Sequence, residues 1–247
     1  MKAIILAAGR GSRMKRLTEN RPKCLIKING KTLLDMQLES LLACGIKDIA
    51  IITGYKQELL SGRGLVEFNN PRWAETQVLH SLTHADSWLF SEPCIVTYSD
   101  IFYATSAITD LIKNRADIAL TYDQNWLNLW ETRFGDPLID AESFRLTSNN
   151  IITEIGKRPK TVDEIDGQFM GLLKFTPSGW NEVCRIRSHH TIKECDCMDM
   201  TYILQKIIEA GSIKVSGVAY TAIWGEVDFA KDLLIYEAKT TQSALNK

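Results

Sequence analysis

The chain has 247 residues, of which 45% are hydrophobic and 24% charged, so it can bury a full core and has the composition of a globular protein. A formal net charge of −1 excludes a general attraction to nucleic acid or to an anionic membrane, and we expect neither as a partner. No apolar run can span a bilayer or is followed by a cleavage region, and the six cysteines show no disulfide spacing. We therefore expect a cytoplasmic protein with reduced thiols.

The hydrophobic pattern predicts strands and helices that alternate along the chain. In the first half these are a strand at "KAIILAA", a helix at "TLLDMQLESLLACG", a strand at "DIAIITG", a helix at "QVLHSLTHADSWLF", a strand beginning "PCIVTYSDIFY", a helix at "AITDLIKNRA" and a strand at "DIALTYD". In the second half they are a strand at "QFMGLLKFT", a helix at "DMTYILQKIIEAG", a pair of strands in "IKVSGVAYTAIWGEV" and a helix at "DFAKDLLIYEAKT".

This alternation predicts an α/β fold with right-handed crossovers. We expect a Rossmann-like three-layer α/β/α arrangement around a mainly parallel mixed sheet, formed by a single domain that spans residues 1–247. The stretch from about residue 124 to 168 is less periodic. We expect it to form loops and added strands over the carboxyl edge of the sheet, where ligands bind in open α/β folds.

A loop with two glycines and several cations follows the first predicted strand. Gly9 and Gly11 let the backbone approach a ligand closely and turn its N–H groups toward an anion. Arg13 and Lys23 supply cations that suit a polyphosphate. The Walker spacing is absent, and Met14 stands where the dinucleotide fingerprint requires glycine. From these residues alone, the loop is either a phosphate-binding loop or a tight turn with incidental surface cations.

The stretch "AIILAAGRGSRM", followed by "RPKCL", resembles the signature of the nucleoside-triphosphate transferase family, the pyrophosphorylase-like nucleotidyltransferases. That signature is L-A-A-G-x-G-[ST]-R-[ML], with P-K-x-L about ten residues further on. "YSDIFY" resembles the segment with the family's strand-end aspartate, and "WGEVDFAKDL" resembles its terminal W-x-x-[IV]-D-x-x-x-D-L. The resemblance implies transfer of a nucleotide to a phosphorylated small molecule, release of pyrophosphate, and Mg²⁺ as cofactor. It also implies that residues of about 1–123 form a nucleotide-binding half and those of about 124–247 an acceptor-binding half.

The family motif implies a role for individual residues of this chain. The nucleotide-binding set is Leu6, Ala7, Ala8, Gly9, Gly11, Ser12, Arg13, Lys23 and Asp100. Within it Arg13 and Lys23 would be catalytic, because two anions must react and their charge must be offset. Asp100 and Asp228 would hold Mg²⁺, which typically takes only one or two carboxylates besides phosphate oxygens. Without the resemblance, the residues favour a cap of a following helix over a metal ligand for each aspartate.

The segment "NNPRWAETQVLHSLTHA" resembles the cytidylyltransferase branch of the family and replaces the G-T-A-x-A segment of hexose-1-phosphate members. This favours CTP as the nucleotide, with Thr76, Gln77 and Ser81 as base or ribose contacts. The branch includes phosphocholine, 2-aminoethylphosphonate and phosphoglutamine cytidylyltransferases. The resemblance therefore implies a small phosphorylated or phosphonylated acceptor and a place in capsule, surface-polysaccharide or phosphonate biosynthesis.

The acceptor side is expected after the fourth predicted strand. There Trp126 and Trp130 could hold an amine by cation–π contact, and Arg133 and Lys157 could bind a phosphate or carboxylate. The i, i+4 spacing of the tryptophans is also typical of a packed helix face.

The stretch "HHTIKECDCMD" carries four residues of the two types that most often bind zinc, namely His189, His190, Cys195 and Cys197. The C-x-C spacing is poor for a tetrahedral site, so we do not favour zinc there.

Two other functions stay open from the sequence. One is a sugar-1-phosphate nucleotidyltransferase, against which the missing G-T-A-x-A segment argues. The other is a non-catalytic, nucleotide-binding regulatory relative, which would have no need to retain Arg13, Lys23, Asp100 and Asp228 together. The oligomeric state is also open, with a homodimer as one option.

Overall fold

The computed structural model describes residues 1–245 of the chain, and side chains to residue 238. The strands are β1 (Lys2–Leu6), β2 (Lys27–Ile28), β3 (Lys31–Thr32), β4 (Ile49–Thr53), β5 (Val66–Asn69), β6 (Cys94–Tyr98), β7 (Ile101–Tyr103), β8 (Ile118–Asp123), β9 (Phe144–Leu146), β10 (Ile152–Ile155), β11 (Gln168–Phe175), β12 (Val215–Tyr220) and β13 (Trp224–Glu226). The helices are α1 (Leu33–Ala43), α2 (Val78–Thr83), α3 (Asp86–Leu89), α4 (Thr105–Lys113), α5 (Trp126–Phe134), α6 (Pro177–Arg187), α7 (Ile192–Asp196), α8 (Met200–Ala210) and α9 (Ala230–Leu245).

Seven strands form the central sheet, in the order β12-β8-β11-β6-β1-β4-β5. Strand β11 runs antiparallel to β6 and β8, and the other neighbouring pairs are parallel. All residues of β4 and β8 are buried, which is typical of strands covered on both faces. The predicted fold class, a Rossmann-like fold with a mainly parallel mixed sheet and added strands, is therefore confirmed.

Some local predictions differ from the structure. The helix predicted at "QVLHSLTHADSWLF" is broken into α2 and α3, because Ala85 leaves helical geometry at φ −100° and ψ 19°. Strand β5 was not predicted, since it is an exposed edge strand without an apolar run. Helix α6 was also missed, although Thr176 caps it and Pro177 opens it. The two strands predicted together near the carboxyl end belong to different sheets, as β12 pairs with β8 and β13 with β7.

The carboxyl edge of the sheet gathers the segments that the sequence analysis singled out. Strands β1 and β6 lie side by side and parallel, so the loops that follow them meet at this edge. Strand β13 pairs with β7, and Val227 N donates to Asp100 O at 2.9 Å. This pairing brings residues 224–228 over the same edge. The division of the domain into halves at about residue 123 stays a prediction.

No helix among residues 1–245 is both long enough and apolar enough to cross a bilayer.

Candidate active site

The loop after β1 is shaped by one glycine in left-handed geometry. Gly11 has φ 67°, and a Cβ built there would lie 3.0 Å from Cδ and 3.1 Å from Cβ of Lys23. Glycine therefore serves both the turn and the close approach of the lysine. Met14, which replaces the glycine of the dinucleotide fingerprint, is buried and donates its N–H to Gly11 O at 3.0 Å. It anchors the loop in the core instead of opening it to a ligand.

Lys23 lies between two carboxylates that are distant in sequence. Its Nζ is 2.7 Å from Asp100 Oδ2 and also donates to Asp228 Oδ1. Lys23 is 7% exposed and Asp228 2% exposed. Burial lowers the pKa of Lys23, but Asp100 and then Asp228 outweigh it and hold the pKa well above its usual range. The ammonium is thus charged at every physiological pH.

Arg13 extends the positive surface from the buried lysine to the open cleft. Its Nη2 lies 3.1 Å from Asp228 Oδ2, while the side chain is 58% exposed. Its guanidinium also lies 5.7 Å from the ring centroid of Phe229, which orients it along the cleft wall.

Three carboxylates converge beside Lys23. Asp100, Glu226 and Asp228 each offer an oxygen, and these oxygens lie within 4.8 Å of one another. Asp100 Oδ1 is buried and has no hydrogen-bond partner among the described residues. Burial, with Asp228 and Asp100 close by, raises the pKa of Glu226 to about 7. Crowded acid oxygens, one of them buried and without a partner, fit a hard divalent cation.

Glu226 was not predicted, although the sequence carries a signal for it. It stands two residues before Asp228, within "WGEVD". Alternate residues of a strand point to the same side, so the pair could have been read as one carboxylate face.

A cleft of about 620 Å³ opens over the glycine loop. The predicted nucleotide-binding residues that line it are Leu6, Ala8, Gly9, Gly11, Ser12, Arg13, Lys23, Gln77, Ser81 and Asp100. Thr76 also lines it. Ala7 instead lies behind the cleft wall, buried, with its N–H bonded to Ile52 O at 3.0 Å. Its contribution is to hold the loop against the neighbouring strand.

Asn70 organises the far wall of this cleft. It is fully buried, and its Nδ2 donates to Ser81 Oγ at 2.9 Å and to Thr76 Oγ1 at 3.0 Å. Its Oδ1 accepts from Arg72 N at 2.9 Å, as in an Asx turn. Asn70 was not predicted, and the Asn-Pro turn in "NNPRW" is the signal that could have found it.

A second cavity of about 390 Å³ adjoins the first, and Arg13, Gln77 and Asp228 line both. Its walls combine aromatic rings with carboxylates. The aromatic lining residues are Tyr98, Trp130, Phe169 and Trp224, and the acidic ones besides Asp228 are Asp140, Glu142, Asp199 and Glu226. This is the cavity on the side where the sequence places the acceptor, and we call it the acceptor cavity.

Of the four predicted acceptor-binding residues, Trp130 lines the acceptor cavity. Trp126 is buried behind it, with ring centroids 6.2 Å apart. Lys157 is half exposed and pairs with Glu154 at 2.7 Å. Trp126 thus belongs to a packed helix face and Lys157 to a surface ion pair. Neither residue lines the acceptor cavity.

Arg133 has different partners from those expected. Its side chain is fully buried, with Nη1 3.0 Å from Glu226 Oε2 and Nε 3.3 Å from Asp232 Oδ1. Asp232 Oδ2 in turn accepts from the N–H groups of Asp228 and Phe229, each at 2.8 Å. Both hydrogen-bonding edges of the planar guanidinium are therefore paired with carboxylates. Arg133 holds the carboxylate cluster in place instead of reaching an acceptor.

The residues considered for zinc do not converge. His189 Nδ1 lies 2.8 Å from Arg185 O, and His190 Nδ1 lies 3.0 Å from Ile186 O. Cys195 Sγ donates to Arg187 O at 3.4 Å. Within residues 1–245, His189, His190, Cys195 and Cys197 do not form a group of ligand atoms.

A glycine loop with Lys23 and Arg13, a carboxylate cluster and two adjoining cavities fit the nucleotidyltransferase that the sequence motif predicts. Comparison with known proteins agrees. Residues 3–146 match the model of the MobA-like NTP transferase domain, and the chain belongs to this family. It is therefore an enzyme of the nucleotidyltransferase class, as the sequence predicted.

Two curated relatives are cytidylyltransferases. The chain is 33% identical to CTP:phosphoglutamine cytidylyltransferase of Campylobacter jejuni subsp. jejuni serotype O:2, over 94% of this chain and 98% of that protein. It is 30% identical to choline-phosphate cytidylyltransferase of Streptococcus pneumoniae, over 70% of this chain and 80% of that protein. Among solved structures, the inositol-1-phosphate CTP transferase from T. maritima has a TM-score of 0.76 at 21% identity, covering 97% of this chain and 94% of that one. That likeness concerns the fold.

Proposed function

We propose that the chain is a CTP-dependent cytidylyltransferase, which joins CMP to a small phosphorylated or phosphonylated acceptor and releases pyrophosphate. The observation that carries the proposal is the position of Lys23. Its ammonium lies beside Asp100 and Asp228, and Asp228 lines both the cleft over the glycine loop and the acceptor cavity. Two anionic substrates in these cavities would meet at this charge.

The reaction needs an acceptor oxygen to attack the α-phosphorus of the nucleotide while the bond to pyrophosphate breaks. The backbone of Gly11 and Ser12, with Arg13, would hold the leaving phosphates, and Lys23 would offset the charge at the α-phosphorus. No protein nucleophile is required, since positioning and electrostatics supply the acceleration. Asp100, Glu226 and Asp228 would hold Mg²⁺, which when bound neutralises phosphate charge.

The chemistry of the acceptor cavity favours an acceptor that carries an amine. Trp130 and Trp224 lie with ring centroids 6.2 Å apart, and Arg13 is the one cation among the described residues that line the cavity. Burial and then Asp199 raise the pKa of Glu142 to about 7, which is the behaviour of a carboxylate without a partner cation. An ammonium group would contact the tryptophan rings by cation–π interaction and would pair with the carboxylate of Glu142.

Relatives with acceptors of this kind support the proposal. Phosphocholine and 2-aminoethylphosphonate carry an ammonium two carbons from the phosphate or phosphonate, and phosphoglutamine carries an ammonium beside a carboxylate in its amino-acid group. We infer a place in surface-polysaccharide, capsule or phosphonate biosynthesis, in the cytoplasm. A sugar-1-phosphate acceptor is the alternative, and a polyol would leave the carboxylates of the cavity without a counter-charge.

The test is a pyrophosphate-release screen of CTP, UTP, dTTP and ATP with Mg²⁺. Each nucleotide is paired with phosphocholine, 2-aminoethylphosphonate, phosphoglutamine and several sugar phosphates. We expect release with CTP and an amine-bearing acceptor. Release with sugar phosphates alone would support the alternative, and no release with any pair would support a non-catalytic binding protein.

A further inference from the structure

We infer that Asp196 is a positioning residue that couples the nucleotide cleft to the acceptor cavity. The inference rests on the proposed function, because it needs the two cavities to hold two substrates of one reaction. Asp196 ends helix α7, and it does not line either cavity. Its importance lies in what it connects.

On one side Asp196 holds the wall of the nucleotide cleft. Its backbone oxygen accepts from Gln77 N at 2.8 Å. Its carboxylate pairs with Arg72, with Nη1 3.4 Å from Oδ1 and a closer contact from Nη2 to Oδ2, and His80 Nδ1 lies 3.1 Å from Oδ1. The segment held by these contacts lines the cleft with Trp73, Ala74, Thr76, Gln77 and Val78.

The Arg72 pair is the charged part of this contact. Burial lowers the pKa of His80 against the opposing effect of Asp196, so its ring is neutral near pH 7. Asp196 is 8% exposed. Its pKa lies below the usual range, first because of the hydrogen bond from Arg72. A carboxylate fixed from one side by a guanidinium and from the other by its own backbone has little freedom to move.

On the other side Asp196 leads directly into the acceptor cavity. Asp199, Met200 and Thr201 line that cavity at the start of α8. Asp199 caps the helix through a 2.7 Å bond from Tyr202 N, and Met198 and Met200 are buried in the core. A short segment fixed at these points cannot absorb a displacement of Asp196, because a packed core transmits it.

It follows that ordering of the 73–78 segment by a nucleotide is passed through Asp196 to the residues that face the acceptor. The reverse must hold equally, since coupling between two ligands is reciprocal. Replacing Asp196 should therefore raise the KM of both substrates, by about tenfold each, within the usual range of such coupling. The kcat at saturation should stay within about twofold, because Lys23 and the carboxylate cluster are untouched.

The deciding experiment is hydrogen exchange of the full chain, with and without CTP and Mg²⁺. In the wild type we expect CTP to protect residues 8–13, which touch it, and also residues 198–202, which do not. In Asp196→Ala at saturating CTP, we expect protection of 8–13 to remain and the CTP-dependent protection of 198–202 to disappear. The matched control is Asp110→Ala, which removes an exposed ion pair with Lys113 on α4 and should behave as wild type.

A merely structural role for Asp196 would loosen residues 198–202 equally with and without CTP. Equal CTP-dependent protection of 198–202 in the wild type and Asp196→Ala would overturn the inference. So would protection of 8–13 in the wild type without any at 198–202. Absence of protection at 8–13 in the wild type would instead contradict the proposed function, and the coupling with it.

Discussion

Arg133 offers the sharpest test of how the carboxylate cluster is held. Its fully buried guanidinium lies 3.0 Å from Glu226 Oε2 and 3.3 Å from Asp232 Oδ1. Arg133→Met keeps much of the side-chain volume and leaves two carboxylates without their cation. Breaking a buried pair in this way costs about 3–5 kcal/mol. For a chain of this size that corresponds to a Tm lower by about 6–20 °C.

The assay is urea and thermal unfolding of Arg133→Met beside a control with the same substitution, Arg145→Met. Arg145 pairs with Asp166 at 3.4 Å while both side chains stay about two-fifths exposed, so its loss should cost less than about 1 kcal/mol. A difference between the two variants below about 1 kcal/mol would refute the reasoning. The Mg²⁺ concentration for half-maximal activity should also rise in Arg133→Met, because Glu226 and the backbone of Asp228 lose their support.

Three further predictions concern the substrates and the metal. Lys23→Met should lower kcat by about 10²–10³ with an unchanged far-UV spectrum; near-normal turnover would remove the assigned role. Asp228→Asn should raise the Mg²⁺ concentration for half-maximal activity by about tenfold or more, and an unchanged titration would argue against metal binding there. The pKa of Glu142, about 7, gives a pH dependence: below it the carboxyl is protonated and loses its charge, so the KM of an amine acceptor should rise from pH 8 to pH 6. Glu142→Gln should weaken that dependence and leave the part due to Glu226, which lines the same cavity and also has a pKa of about 7. The same slope in wild type and variant would contradict the assignment to Glu142.

Local patterns identified the buried framework of the fold, and long-range pairing lay beyond them. Strands such as β1 and β4 are nearly continuous apolar runs, which the sequence displays directly. The direction of β11 has no such signature, because alternation is the same for parallel and antiparallel strands. Strand β5 is an edge strand of only four residues, and the alternation of Val66 and Phe68 with polar residues is too short to stand out in the sequence.

The site residues also divide into those that a local motif identifies and those whose partners are set by long-range packing. The motif with Gly11 and Lys23 is local, so the sequence could place both on one loop. The partners of Arg133 lie far along the chain at Glu226 and Asp232, and a single sequence contains no record of which distant carboxylates will face an arginine. From its neighbours in sequence, Arg133 looks like a free cation near an expected pocket. In the folded protein its charge is paired with Glu226 and Asp232.

The steric contact between Gly11 and Lys23 has a consequence for altering this enzyme. The Cβ of any side chain at position 11 would lie 3.0–3.2 Å from the carbon atoms of the lysine stem. The glycine turn and the lysine are therefore packed directly against each other. A loop transplanted from a relative to change nucleotide preference must therefore keep glycine at position 11. A loop with any other residue there would displace the lysine stem and, with it, the ammonium.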